Sequence, residues 1–141
     1  MRVIREGTRP DIERMLAQAP HLPPALERIA TTPVLASERP VGFPHVKINR
    51  LAPTRHIHTL GGVRIDFSNR HTSESASYAL MRTHAAARRL AHTEATIKTG
   101  GLFHTRAVAV GRFAVGVTAV TRAQAKTLLA LALAHLRRSE R

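Results

Sequence analysis

The period of the hydrophobic pattern changes along the chain, from the spacing of helices to the alternation of strands and back. Near the start, Thr8-Arg9-Pro10-Asp11 is typical of a helix beginning, because a hydroxyl, a proline and a carboxylate all suit the unpaired amides of a first turn. We therefore predict one helix near residues 9–18. A second, short helix is predicted from Pro24 to about Ala30, and it ends before Thr32-Pro33.

The segment after these helices alternates with a period of two, which is typical of β-strands. Val34–Ala36 and Val46–Asn49 are predicted as short strands. Farther on, His56–Leu60 and Val63–Phe67 flank the pair Gly61-Gly62. A two-residue glycine loop between alternating runs predicts a tight hairpin, because both turn positions can then adopt positive φ.

The C-terminal half predicts two longer helices around a second hairpin. Apolar residues recur every three or four positions over 73–91, which predicts a helix capped by Thr72 or Ser73. A valine-rich hairpin turns near Gly111, and Thr121-Arg122-Ala123-Gln124 is a capping-box pattern that begins a helix over 122–138. The sequence therefore predicts one α+β domain over 1–141, with a mixed or antiparallel sheet and two β-hairpins flanked by three to four helices.

The last predicted helix contains more leucine than one buried stripe needs. Leu128 and Leu136 belong to the stripe that faces the core, whereas Leu131 and Leu133 fall outside it. An apolar arc this wide is either buried on two sides or presented to another chain. We therefore predict that Leu128, Leu131, Leu133 and Leu136 contact another subunit or a partner protein.

The composition is strongly basic, with 22 Lys+Arg against 9 Asp+Glu and a net charge of +13. Only Lys47, Lys98 and Lys126 are lysines, and arginine is the better residue for forked contacts to phosphate or carboxylate. The excess indicates a polyanionic partner, either nucleic acid or an acidic protein surface. A genome that favours arginine codons is the alternative explanation. The arginines predicted to supply polyanion contacts from one surface are Arg55, Arg64, Arg82, Arg88, Arg89, Arg106 and Arg112.

Candidate chemistry is sparse. The chain has no cysteine, which excludes disulfides, thiolate metal sites and a cysteine nucleophile. His56 and His58 share one side of a predicted strand, but the nearby carboxylates are only Asp66 and Glu74, and a dedicated metal site needs carboxylates to orient its imidazoles. We favour the interpretation that these histidines are half-buried strand residues or form hydrogen bonds at an interface. We predict no metal and no cofactor.

Signatures of an enzyme or a membrane protein are also missing. Lys98-Thr99-Gly100-Gly101 lacks the order of a phosphate-binding loop, and no carboxylate pair or nucleophile elbow is visible, so we expect no enzyme. The start lacks an apolar leader, and the run Leu128–Ala134 is far shorter than the ~20 residues of a membrane span. We expect a protein of the cytoplasm or of a virion, with no membrane contact.

The central segment resembles a known family. Phe43-Pro44-His45-Val46-Lys47-Ile48 is followed by Gly61-Gly62, by Val63–Phe67 and by a predicted helix rich in small residues. Over residues 10–92 this succession resembles the tail-terminator proteins of long-tailed bacteriophages, small α/β subunits whose rings close the end of the tail tube. Other head–tail joining (neck) proteins are nearly as similar. The resemblance implies a virion subunit that forms a homo-oligomeric ring and contacts neighbouring virion proteins.

A second interpretation rests on charge alone. A basic nucleic-acid-associated protein, of a ribosomal or nucleoid type, would contact phosphates through its arginines. No helix-turn-helix, zinc-finger or ribonucleoprotein motif is visible, so base-specific recognition is not indicated.

Overall fold

The structure is a computed structural model that describes residues 21–55, 57–97 and 100–141. The helix predicted near residues 9–18 lies outside the described residues. Within them, the elements in chain order are α1 (Pro24–Thr31), a 3-10 turn (Ala36–Glu38), β1 (His45–Leu51), β2 (Thr59–Ser68), β3 (Ser73–Met81), α2 (His84–Ala95), β4 (His104–Val110), β5 (Phe113–Ala119) and α3 (Arg122–Ser139).

The five strands form one antiparallel sheet in the order β1-β2-β3-β5-β4. Strands β1, β2 and β3 follow one another as a meander. Helix α2 then leads the chain to β4 at the edge, and β5 returns between β4 and β3. The predicted α+β class, with an antiparallel sheet and flanking helices, is confirmed. Among the strands of the described ranges, β1 and β4 are the edges.

One face of the sheet packs against α1 and α3, and we call it the core face. Val63, Ile65 and Phe67 of β2 point to this face and are buried. Tyr78 of β3 is paired with Val63, and its hydroxyl donates a hydrogen bond of 2.7 Å to the carbonyl oxygen of Ala132 in α3. The alternation of β2 and β3 therefore directs large apolar side chains toward α1 and α3.

The opposite face packs against α2, and we call it the α2 face. Ala87 and Ala91 of α2 are buried, and the small residues Ala114 and Gly116 of β5 let the helix approach closely. In the described part of the chain, α2 packs over β3, β5 and β4. Over β1 and β2 this face is covered by no described helix.

The predicted turn at Gly61-Gly62 is wrong, because both glycines lie inside β2. Gly62 is paired with strands on both sides, and a Cβ there would lie 3.0 Å from the carbonyl oxygen of Tyr78. Gly61 has a φ of +133°, and the register shifts between Thr59 and Gly62, as at a β-bulge. Close approach of the Tyr78 backbone explains Gly62, and the positive φ explains Gly61; neither glycine reverses the chain.

The predicted helix over 73–91 is wrong in its first half, which is the central strand β3. Helix α2 begins only at His84, after the N-cap Thr83, whose hydroxyl accepts a 3.0 Å hydrogen bond from the amide of Ala86. Residues of high helix propensity form a strand here because β2 and β5 pair with both of its sides.

Other local predictions are mixed in outcome. Val34–Ala36 is no strand, since Ala36 already begins the 3-10 turn. The short helix from Pro24, the strand over Val46–Asn49 and the hairpin near Gly111 are confirmed. The last helix is confirmed too, with Thr121 accepting a hydrogen bond from the amide of Gln124. No helix in the ranges described above is long and apolar enough to cross a membrane.

Candidate functional site

The leucines of α3 divide into two groups. Leu128 and Leu136 are each only 1% exposed and lie in the core, so they cannot contact another subunit. This corrects the prediction for these two residues; its reason is that they share the stripe of α3 that faces the sheet. Leu131 and Leu133 are half-buried at the margin of the core.

The two half-buried leucines lie on opposite flanks of α3. Successive residues turn a helix by about 100°, which puts Leu131 on the flank of His135 and Arg138, toward α1. Leu133 lies on the other flank, with Leu129 and Arg122. Arg122 lines a cleft with residues of β4, so this flank faces the β4 edge.

Beside this second flank, the core-face side chains of β4 are left uncovered. Val108 and Val110 are each 36% exposed although they point to the core face. We group them with Leu129 and Leu133, which lie on the flank of α3 that faces this edge, and call the four residues the β4 strip. The outer backbone groups of β4 have no strand partner among the described residues, as at any sheet edge. Exposed apolar side chains continue toward the start of β4, at Ile97, Leu102 and Phe103.

A buried ionic network holds α3 in place. Glu38 is 6% exposed and accepts hydrogen bonds from Arg138 Nε at 2.6 Å and Nη2 at 2.9 Å. His135 places Nδ1 2.9 Å from Glu38 Oε1 and Nε2 3.1 Å from the carbonyl oxygen of Ile29. Both ring nitrogens therefore lie within hydrogen-bond distance of an oxygen. Hydrogen bonds from Arg138, and to a lesser degree from His135, outweigh burial and lower the pKa of Glu38 to about 2.

On another side of the molecule, the connection between β1 and β2 forms a hydrogen-bonded turn. The Thr54 amide donates to Thr59 Oγ1 at 3.0 Å, and the Thr59 amide donates to the Thr54 carbonyl at 3.1 Å. Between them, the His58 amide donates to the carbonyl oxygen of Arg55 at 3.2 Å. His58 has a φ of 56°, in the left-handed region that few non-glycine residues occupy. His58 therefore lies in a turn and not in the strand predicted for it.

This turn borders two clefts, of ≈ 760 and ≈ 500 Å³, that share His58 and Arg82 in their linings. Arg55 lines the larger cleft and Arg89 of α2 lines the smaller one. Arg82 is held in the short link between β3 and α2, where the amide of the preceding Met81 donates to the carbonyl of Arg112 at 2.8 Å. No described carboxylate lines either cleft.

The predicted polyanion contacts do not form one surface. Arg82, Arg89 and Arg55 gather at the clefts, whereas Arg64 binds Asp66 on the α2 face, with Nε 3.1 Å from Oδ1. Arg106 points to the core face, opposite Arg64. Arg88 and Arg112 are exposed and line neither cleft. Arg55 is far from Arg82 and Arg89 in the sequence, and only the fold brings it close to them. No local sequence pattern could therefore predict the clefts.

Most described carboxylates are used inside the molecule. Glu27 binds Arg50 at 2.9 Å, Asp66 binds Arg64, and Glu38 belongs to the network of α3. Glu74 is buried and accepts the Val120 amide at 3.0 Å. Burial raises the pKa of Glu94 to about 7. Few of the described carboxylates therefore remain free at the surface.

The described residues contain no group of three or more His, Asp or Glu side chains placed to hold a metal ion. His56, the other histidine of the metal hypothesis, lies outside them. Comparisons with protein families, with curated proteins and with solved structures give no match to this chain.

Proposed function

We propose that the protein is a structural subunit that assembles with copies of itself through the β4 strip. The observation that supports this most directly is the β4 strip beside the edge strand β4. On its outer side, the backbone groups of β4 have no strand partner among the described residues. Contiguous exposed apolar surface of this kind is typical of protein–protein contacts, and an unprotected edge strand can be extended by another chain. The role is structural, without catalysis.

The sequence resemblance suggests where such a subunit works. A tail-terminator or head–tail joining protein of a long-tailed bacteriophage is a small subunit of a ring in the virion, next to other virion proteins. We propose this class on the sequence resemblance alone, since the segment that carries it forms a β-meander and the first part of α2, and not the glycine turn and the helix over 73–91 expected from the sequence.

Charge gives this proposal a distinctive salt dependence. Each copy carries a net charge of +13, so copies repel one another at low ionic strength. Salt screens that repulsion, with a Debye length of about 8 Å at physiological ionic strength, and therefore favours assembly. Binding to nucleic acid responds in the opposite way, because salt weakens phosphate contacts.

Mass measured by light scattering on nuclease-treated protein tests the proposal. We expect a defined oligomer that becomes more populated as salt is raised. A monomer at every salt concentration, which grows only when nucleic acid is added, would contradict the proposal. That result would support the alternative of a basic nucleic-acid-associated protein.

Two aspartate variants on one helix locate the contact. Leu133→Asp places a carboxylate in the β4 strip and should give a monomer with an unchanged circular dichroism spectrum, since an unpaired charge is costly at an apolar interface. Leu131→Asp, on the flank toward α1, is the matched control and should remain assembled. Val108→Asp repeats the test on β4 itself. Assembly retained in both strip variants, or abolished only in Leu131→Asp, would overturn the assignment.

A further inference from the structure

Two neighbouring clefts share His58 and Arg82 in their linings, and we call the pair the cationic recess. Arg55 lies in the larger cleft and Arg89 in the smaller one, with Arg82 common to both. None of these three arginines forms an ion pair with a described residue, in contrast to Arg64, Arg50 and Arg138. Cations that line a recess without a described carboxylate reinforce one another's potential and attract anions.

The backbone around the recess is fixed by hydrogen bonds. The paired threonines Thr54 and Thr59 close the turn, and their hydroxyl oxygens lie 2.9 Å apart. Within that turn, His58 keeps a left-handed conformation that the surrounding hydrogen bonds must maintain. Residues held in sparsely populated conformations are concentrated at ligand sites. Hydrogen bonds within the turn therefore hold the backbone at Arg55 and His58.

We propose that this recess binds the phosphate groups of single-stranded nucleic acid. Guanidinium groups form forked hydrogen bonds with phosphate oxygens, and the three arginines of the recess can each bind a phosphate of a chain that carries one charge per nucleotide. The imidazole of His58 and the guanidinium planes offer surfaces on which unpaired bases can stack. Between the cations, the walls include Leu60, Met81 and Leu90, which suit the apolar faces of bases.

The concave shape of the recess favours a single strand over a nucleic-acid duplex or an acidic protein. A nucleic-acid duplex is stiff and presents its phosphates on a convex surface, which cannot follow a recess of this size. A folded acidic protein is likewise convex, and its carboxylates are not spaced along a line. Nucleic-acid binding at this site requires no assembly, because a single copy contains every residue named.

Fluorescence anisotropy of a labelled oligothymidylate, titrated with the full chain at several salt concentrations, tests the proposal. The double variant Arg82→Gln/Arg89→Gln removes two cations of the recess, and Arg88→Gln/Arg112→Gln removes two exposed cations outside it. We expect the first variant to bind at least about tenfold more weakly at low salt, with a log–log salt slope reduced by about 1.4, or ~0.7 for each phosphate that is no longer neutralised. The control variant should change the affinity by less than about threefold.

Three results would overturn the proposal. Equal weakening in both double variants would mean that binding is a diffuse effect of net charge. A duplex of the same sequence that binds more tightly, and is weakened by the same variant, would exclude recognition by a recess. Polyglutamate that competes as well as oligothymidylate at equal charge would show that the site does not distinguish phosphate from carboxylate.

Discussion

The two faces of the sheet are covered in different ways. The core face lies under α1 and α3, and an ionic network centred on Glu38 joins α3 to the chain between α1 and β1. The α2 face lies under α2, whose buried residues Ala87 and Ala91 are small. No described helix covers this face over β1 and β2. The core face is thus covered except along β4, where the β4 strip is exposed, and Arg82 and Arg89, near the margin of the α2 face, line the cationic recess.

Two carboxyl groups show the contrast most clearly. Glu38 is surrounded by donors, and its pKa is lowered to about 2. Glu94 lies between α2 and the sheet, and a Cβ on Gly116 would be 2.0 Å from its Oε2, so the glycine provides the space for this carboxyl group. Its carboxyl oxygens have no hydrogen-bond donor or cation among the described residues, and burial raises its pKa to about 7. The same type of side chain therefore stabilises one face and weakens the other.

The largest effect is expected from Glu38→Gln. An amide cannot replace the carboxylate that faces Arg138 and His135, and removing one partner of a buried ionic network costs about 3–5 kcal/mol in the free energy of unfolding. Urea denaturation at neutral pH measures this change. The control is Glu140→Gln, at an exposed carboxylate without an ion-pair partner among the described residues, which should change stability by less than about 0.5 kcal/mol.

The same residue predicts an acid transition. Because the pKa of Glu38 is lowered from 4.5 to about 2, its contribution is complete above pH 4.5 and is lost as the pH falls from 4.5 toward 2. The difference in stability between the wild type and Glu38→Gln should shrink over that window. A Glu38→Gln variant as stable as Glu140→Gln would mean that the core face does not depend on the network.

A smaller effect, of opposite sign, is expected from Glu94→Gln. The pKa of Glu94 is raised from 4.5 to about 7 in the folded state, so this residue costs stability as the pH rises through that interval. At pH 8 the variant should be more stable than the wild type by about 1–2 kcal/mol, less than the full pKa shift would give because the carboxyl group is partly exposed. At pH 4 the two proteins should unfold alike.

Chemical denaturation at several pH values measures this difference. A Glu94→Gln variant that is less stable at pH 8 would show that the carboxylate has a favourable partner in the folded protein. The two faces would then be stabilised in the same way, and the comparison between them would fail.

The sequence predicted those elements whose signals are local. Thr121 with Gln124 marks a helix start through contacts within one turn, and Gly111 marks a hairpin through its backbone conformation, with a φ of 57°. Ser73–Met81 and Gly61-Gly62 were misassigned because their conformations are set by neighbouring strands that lie far away in sequence. Local propensity cannot report such contacts.

The candidate sites follow the same division. The leucine stripe of α3 was visible as a stripe, but only the packing against β4 and α1 separates Leu133 from Leu131. The basic composition indicated polyanion binding, yet the grouping of Arg82 with Arg55 and His58 depends on a turn and a strand end that meet in the fold. Glu38 and His135 carried no signal in the sequence, because a buried ionic network is formed from residues of unrelated segments.

The smallest effect is expected from Gly116→Ala, which tests why Glu94 is unusual. The new Cβ would lie 2.0 Å from Glu94 Oε2 and 3.2 Å from its Cδ, so the flexible carboxylate must move out toward solvent. Alanine also restricts the unfolded chain, which favours folding by about 0.4–1 kcal/mol where the backbone conformation suits it. We therefore expect a net change in the free energy of unfolding within about 1 kcal/mol at pH 8, and loss of the pH dependence that Glu94 causes.

The decisive measurement is the stability of the double variant Gly116→Ala/Glu94→Gln. Because the alanine has already moved the carboxylate into water, the second substitution should add almost nothing at pH 8, a non-additivity expected of residues in contact. If Glu94→Gln instead gives its full stabilisation in the alanine background, the carboxyl group is still buried there, and the space beside Gly116 is not the cause of its raised pKa.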